Sequence, residues 1–111
     1  MGIQHAIAAL QARGDELMAA GPGRINVGVV HDADEVKTCR HALTIEERIE
    51  IIDAIDDLEE RLTGVAFSRP KRLIDAAELW LIAHVVEDRI DIDCDMLKRP
   101  WNEAQVVPAT S

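Results

Sequence analysis

The chain has 111 residues and carries 21 acidic against 12 basic side chains, so its formal net charge is −9. Apolar residues make up 48% of the chain and aromatic residues only 3%. This composition fits one globular domain with an aliphatic core and excludes a disordered chain or a repeat array. The acidity argues against direct binding of nucleic acids or anionic membranes, which need a basic face, and favours a partner with a basic surface.

Cysteine content and hydropathy indicate the compartment. Cys39 and Cys94 are too few for a disulfide framework, so we expect two free thiols. The first residues lack the basic region of a secretory signal, and no apolar run is long enough to cross a bilayer. We therefore expect a cytoplasmic protein.

The first 43 residues predict a helix, a short strand and a second, shorter helix. Over residues 1–20, apolar side chains recur at helical spacing before a Gly-Pro-Gly break. Residues 25–30 are β-prone, but a lone strand is unstable in water, so this segment needs a partner in the chain or in another copy. In residues 31–41, Asp32 or Asp34 is suited to cap a short helix.

The clearest prediction is an antiparallel pair of helices over residues 44–63 and 69–90. Thr44 and Glu47 form the pattern of a capping box at the start of the first helix. A loop of about five residues separates the two helices, which is typical of a helical hairpin. The apolar face expected on the first helix consists of Ile45, Ile49, Ile51, Ile52, Ile55, Leu58 and Leu62.

Residues 89–96 fit both a helix and a strand, and we favour a helix with a break near Arg89. Pro100 is expected to end whichever element precedes it. Residues 104–111 show no periodicity and predict a loose tail. The predicted fold is therefore mainly α, a three-helix domain over residues 1–103 with a central antiparallel hairpin and one minor β element.

An acidic stripe on the predicted helix 44–63 is the leading functional feature. Its members repeat at spacings of four and three residues and share one narrow sector of the helix: Glu46, Glu50, Asp53, Asp57 and Glu60. Like charges at these spacings repel each other, and only Arg48 and Arg61 oppose the eight acids of this helix. The stripe either remains in water or meets a basic protein surface.

The same helix contains Glu46-Glu47-Arg48-Ile49-Glu50. This segment resembles the E-E-x-x-E motif of all-α nucleotide pyrophosphohydrolases of the MazG kind. The resemblance implies a Mg²⁺ site completed by an E-x-x-D pair on the next helix. That helix offers Glu78 followed by Leu81 three residues later, whereas Asp88 and Asp91 have the right spacing further along.

A basic cluster marks the start of the second hairpin helix: Ser68, Arg69, Lys71 and Arg72. Together with free backbone N–H groups, these side chains would suit a phosphate or carboxylate. The alternative is that they pair with Glu59 and Glu60 across the turn. The layout of a hairpin, a small loop and Trp80 on the second helix is similar to that of short phage proteins that sequester cyclic nucleotides.

Two further patterns concern metals. His31, Cys39 and His41 could form part of a zinc site, although this spacing is weaker than paired C-x-x-C motifs. Residues 91–95 resemble the opening of a calcium loop but lack its later glycine and glutamate. We assign no metal, cofactor or catalytic residue.

Taken together, these features predict a non-catalytic, acidic interaction protein that docks its acidic helix on a basic protein surface. Small acidic inhibitors of nucleic-acid-handling complexes, such as phage anti-CRISPR proteins, act through the same physics. The alternative is a binder of an anionic, nucleotide-type metabolite at the basic cluster, and the third hypothesis is a metal-dependent nucleotide hydrolase. We also expect self-association into a homodimer or a larger homo-oligomer.

Overall fold

The computed structural model describes residues 3–21, 23–28, 33–63, 67–68 and 70–108. Within them it is mainly helical with one small sheet, as the sequence predicts. None of the described helices combines the length and apolar character that crossing a bilayer requires. The elements are α1 (Ile3–Ala19), β1 (Gly23–Asn26), α2 (Ala33–His41), α3 (Ile45–Thr63), β2 (Phe67–Ser68), α4 (Pro70–Val86), α5 (Asp95–Asn102) and β3 (Gln105–Pro108).

The capping box at the start of α3 is confirmed. The Glu47 backbone N–H donates to Thr44 Oγ1 at 3.1 Å, and the Thr44 N–H donates to Glu47 Oε1 at 2.9 Å. Arg89, which follows the last turn of α4, donates to the Glu47 carboxylate in the first turn of α3. Because the end of one helix meets the start of the other, α3 and α4 run antiparallel.

Helix α4 occupies the centre of the fold and packs against α1, α2, α3 and α5. A helix with neighbours on several sides must be apolar over most of its circumference. The run Leu79-Trp80-Leu81-Ile82-Ala83 meets this need, since all five side chains are buried. Helix α1 lies so close to α3 that a Cβ at Gly14 would come within 2.7 Å of Leu58 Cδ1.

The ambiguous segment 89–96 is neither a strand nor a continuous helix. Helix α4 ends at Val86, a turn follows through Asp91, and α5 begins at Asp95. The expectation that Pro100 ends this element is wrong, because α5 continues to Asn102. Pro100 is buried with Leu97 and Trp101, so the contact of this apolar face with the core offsets the backbone hydrogen bond that proline cannot donate.

The sheet has three strands in the order β2-β1-β3. The central strand β1 pairs in parallel with β2 and antiparallel with β3, and it begins two residues earlier than the predicted 25–30. The expectation of a loose tail over residues 104–111 is wrong for Gln105–Pro108, which forms β3. Since β1 has a neighbour on each side, its β propensity no longer argues for a second copy of the chain.

Candidate interaction surface

The acidic stripe, Glu46, Glu50, Asp53, Asp57 and Glu60, lies on the surface of α3. Four of its members are exposed, whereas Glu50 is half-buried and accepts a hydrogen bond from Gln4 Nε2 at 3.4 Å. On the side of α1, Asp53 and Asp57 face Ile7 and Gln11 across a shallow groove of about 280 Å³. Glu50, Asp53 and Asp57 of the stripe therefore line one wall of a groove between α1 and α3.

Most of the stripe is not neutralised within the part of the chain that the structure describes. There, Glu46, Asp53, Asp57 and Glu60 make no ion pair and no side-chain hydrogen bond. The Arg61 guanidinium of the same helix pairs with Asp15 on α1 instead. Each unrelieved i,i+3 or i,i+4 acidic pair costs the helix a few tenths of a kcal/mol.

A line of isoleucines runs beside the stripe, and the sequence analysis missed its exposure. Ile45, Ile49 and Ile52 are 75%, 54% and 57% exposed, so this part of the predicted apolar face lies outside the core. The buried residues of this helix are Ile51, Ala54, Ile55, Leu58 and Leu62. The predicted apolar face covers too much of the circumference to meet one core, which indicates that part of it lies outside the core but not which residues.

The E-E-x-x-E segment is held in a different arrangement from a metal cage. Glu46 is exposed, Glu50 contacts Gln4, and Glu47 accepts from Arg89 Nη1 at 2.7 Å as well as from Thr44. The Arg89 bond, aided by the Thr44 cap, lowers the Glu47 pKa from 4.5 to about 2. Among the described residues, no three His, Cys, Asp or Glu side chains are placed to hold a metal ion together.

The described residues of the suggested zinc and calcium patterns do not come together as metal ligands. Cys39 is completely buried beside Cys94, His41 is exposed, and His31 lies outside the described residues. Burial raises the Cys94 pKa to about 12, which keeps its thiol protonated at neutral pH. In the calcium-like segment, Asp93 Oδ1 accepts the Asp95 backbone N–H at 3.0 Å at the start of α5.

The basic cluster is only partly described. Ser68 ends β2, and Arg72 is exposed on α4. Arg69 and the side chains of Ser68 and Lys71 lie outside the described residues. Whether Ser68, Arg69, Lys71 and Arg72 converge on an anion, or pair with Glu59 and Glu60, therefore stays a prediction.

A cleft of about 430 Å³ lies between α1 and α4, and sequence reasoning did not find it. Ile3, Ala6 and Val85 supply apolar walls, and His5 and His84 supply imidazoles. The His84 ring lies 4.1 Å from the Trp80 ring, centroid to centroid, at an angle of 43°. Burial, aided by the charge of Lys98, lowers the His84 pKa, so this imidazole is neutral at neutral pH. The cleft has the volume of a small-molecule site.

We compared the chain with family models, with curated proteins and with solved structures, and none of the three comparisons finds a significant match.

Proposed function

We propose that this chain is a non-catalytic interaction module, an inhibitor or adaptor that docks α3 on a basic surface of another protein. The observation that supports this proposal most strongly is the neighbourhood of two exposed features on one helix. The acidic stripe remains without ionic partners among the described residues, and the isoleucine line lies next to it. An exposed apolar patch with polar side chains beside it is typical of interaction sites.

The two features supply different parts of an interface. The acidic stripe would steer a basic partner towards α3 and discriminate against acidic surfaces. The isoleucine side chains would add affinity because binding buries their apolar surface. A reducing cytoplasm suits this proposal, since both cysteines are buried as free thiols.

Charge reversal at Asp53→Lys with Asp57→Lys tests the proposal. Both side chains are exposed and form no ion pair in the described part of the chain, so the double variant should fold. We expect it to lose its protein partner, with affinity falling by more than about tenfold because steering and pairing are reversed. The measurement is a pull-down from the source cell followed by titration with the purified partner over a range of salt concentrations.

The matched control is Asp75→Lys with Asp88→Lys, which changes the net charge equally on the side of α4. Both of its target side chains are exposed. The proposal requires a basic partner whose affinity falls with salt and is retained by this control. Equal binding by the Asp53/Asp57 variant and the unaltered chain, with both folded, would reject α3 as the docking surface.

The second candidate function is binding of a small ligand, and the α1–α4 cleft is the observation that favours it. A ligand binder should show a rise in Tm with a panel of nucleotides and other small metabolites. Loss of this shift in Arg72→Ala would locate the ligand at the basic cluster. Loss in His84→Ala, with the shift retained in Arg72→Ala, would locate it in the cleft.

A further inference from the structure

The two halves of the exposed face of α3 carry different kinds of side chain. The isoleucine line occupies the first two turns. From residue 53 to residue 60, every exposed side chain is acidic: Asp53, Asp56, Asp57, Glu59 and Glu60. The free carbonyl groups at the C-terminal end of a helix add negative potential there. The first half of this face therefore presents the isoleucine line together with exposed Glu46 and Arg48, and the second half presents acidic side chains alone.

The size of the isoleucine line requires that a partner also cover the acidic end. A stable interface buries about 800 Å² on each partner, far more than three side chains supply. Removing the acidic half of α3 from water without cations opposite it would be unfavourable. The partner must therefore present lysine or arginine opposite residues 53–60.

A second copy of the chain does not fit this surface. If two α3 helices met in an antiparallel arrangement through their isoleucines, two-fold symmetry would place both acidic stripes on the same side of the interface. In a parallel arrangement, the acidic halves of both helices would lie side by side. Each copy carries a net charge of −9, so both arrangements bring like charges together.

The narrowness of the isoleucine line indicates the shape of the partner. Ile45, Ile49 and Ile52 follow a single file with i, i+4, i+7 spacing, which is the spacing of apolar side chains on a facing helix. A helix laid along α3 would match this file.

Resting on the function proposed above, we infer that the partner presents an amphipathic helix with apolar side chains at one end and lysines or arginines at the other. Its apolar end covers Ile45, Ile49 and Ile52. Its basic end lies over the acidic residues 53–60. This arrangement fixes the direction of the bound helix, since only one orientation matches both ends.

Synthetic helical peptides test this inference by fluorescence anisotropy with the complete chain. The first peptide carries leucines at i, i+4 and i+7, followed by two turns rich in lysine. The second has the same composition, but leucines and lysines alternate along its length. We expect the first peptide to bind at least about tenfold more tightly, because only its order matches both halves of α3.

The key variant is Ile49→Ser with Ile52→Ser, and its matched control is Met96→Ser, which alters a side chain on α5 that is 54% exposed. The double variant should weaken binding of the first peptide by at least about tenfold while its salt dependence persists. Met96→Ser should leave the affinity unchanged. Circular dichroism checks that each variant is folded.

Each other outcome has a defined meaning. If Asp53→Lys with Asp57→Lys abolishes peptide binding but the serine variant does not, the inference fails without contradicting the proposed function. No binding at about 1 mM peptide, or equal binding of both peptides, also overturns the inference. If the unaltered chain sediments as a dimer that Ile49→Ser with Ile52→Ser dissociates, a second copy covers this face and the inference is wrong. The proposed function is decided separately, by the pull-down with the Asp53/Asp57 variant.

Discussion

At the scale of single residues, the Glu47 side chain holds two partners at the start of α3. Its carboxylate accepts the Thr44 N–H of the capping box and the guanidinium of Arg89. The pair joins the start of α3 to the turn after α4, and Glu47 is only 16% exposed there. This carboxylate is therefore a structural group, although the sequence placed it within a possible metal motif.

Arg89→Ala should destabilise the fold by about 1 kcal/mol, since it removes a charge-assisted pair that is partly shielded from water. The folded-state pKa of Glu47 is depressed to about 2 from 4.5. Its contribution is therefore present above the unfolded-state pKa and is lost as the pH falls towards 2. We expect the difference in stability between the unaltered chain and the variant to shrink from pH 6 to pH 2, roughly over the range of these two pKa values. Urea denaturation at several pH values measures it.

The matched control is Arg99→Ala. Arg99 pairs with Glu103 one turn away on the surface, where the two side chains are 64% and 61% exposed. An exposed pair of this kind adds at most a few tenths of a kcal/mol. A loss for Arg89→Ala that is equally large at pH 2 and pH 6 would contradict the assigned role of Glu47.

At the scale of elements, the sheet depends on a close approach of two backbones. A Cβ at Gly23 would lie 2.6 Å from the Val107 carbonyl oxygen, which belongs to the paired strand and cannot rotate away. The strands β1 and β3 can therefore pair in this register only with glycine at position 23. Glycine fits at position 23 because it has no Cβ atom.

Gly23→Ala should destabilise the fold by about 1–3 kcal/mol, because the backbone of β3 must shift to admit the added carbon. Gly28→Ala is the matched control, since no atom of the described residues lies within 4 Å of a Cβ at that exposed position. It should change stability by less than about 0.5 kcal/mol. Thermal denaturation compares the two, and equal effects would disprove the tight packing of β1 on β3.

Local sequence patterns predicted some of these elements and not others. The capping box and the α3–α4 hairpin were predictable, because cap residues, helical spacing and a short loop act between near neighbours. Strand β3 was not, since its pairing with β1 joins segments from opposite ends of the sequence. The acidic stripe was predictable from spacing alone. The exposure of Ile49 beside it was not, because exposure depends on where α1 and α4 pack.

At the scale of the whole molecule, negative charge is unevenly distributed. The chain measures 43 × 24 × 19 Å along its principal axes, and eight of its 21 acidic residues lie on α3. Acidic side chains one turn apart on this helix lie about 6 Å from each other, within the Debye length of about 10 Å at 0.1 M salt. The acidic side chains of α3 therefore repel each other in the folded protein, and this repulsion lowers its stability. Dissolved ions screen the repulsion.

Salt should raise the Tm of this protein. Between about 0.01 M and about 1 M NaCl, the Debye length falls from roughly 30 Å to 3 Å, which relieves repulsion among the acids of α3. The surface ion pairs that salt also weakens contribute less. We expect an increase of several degrees, measured by calorimetry, and a smaller increase in the Asp53→Lys/Asp57→Lys variant. A Tm that falls with salt would show that ion pairs outweigh the repulsion.

The pairing of β1 with β3 also determines when the fold can be completed during synthesis. Residues 23–26 leave the ribosome well before residues 105–108, their antiparallel partners, which emerge only after all the described helices have been made. Contacts between such distant segments form late, because a long loop must close first. The helices can therefore assemble around α4 while the β1 edge that β3 later covers is still open. Until β3 arrives, that edge is available to chaperones or to other nascent chains.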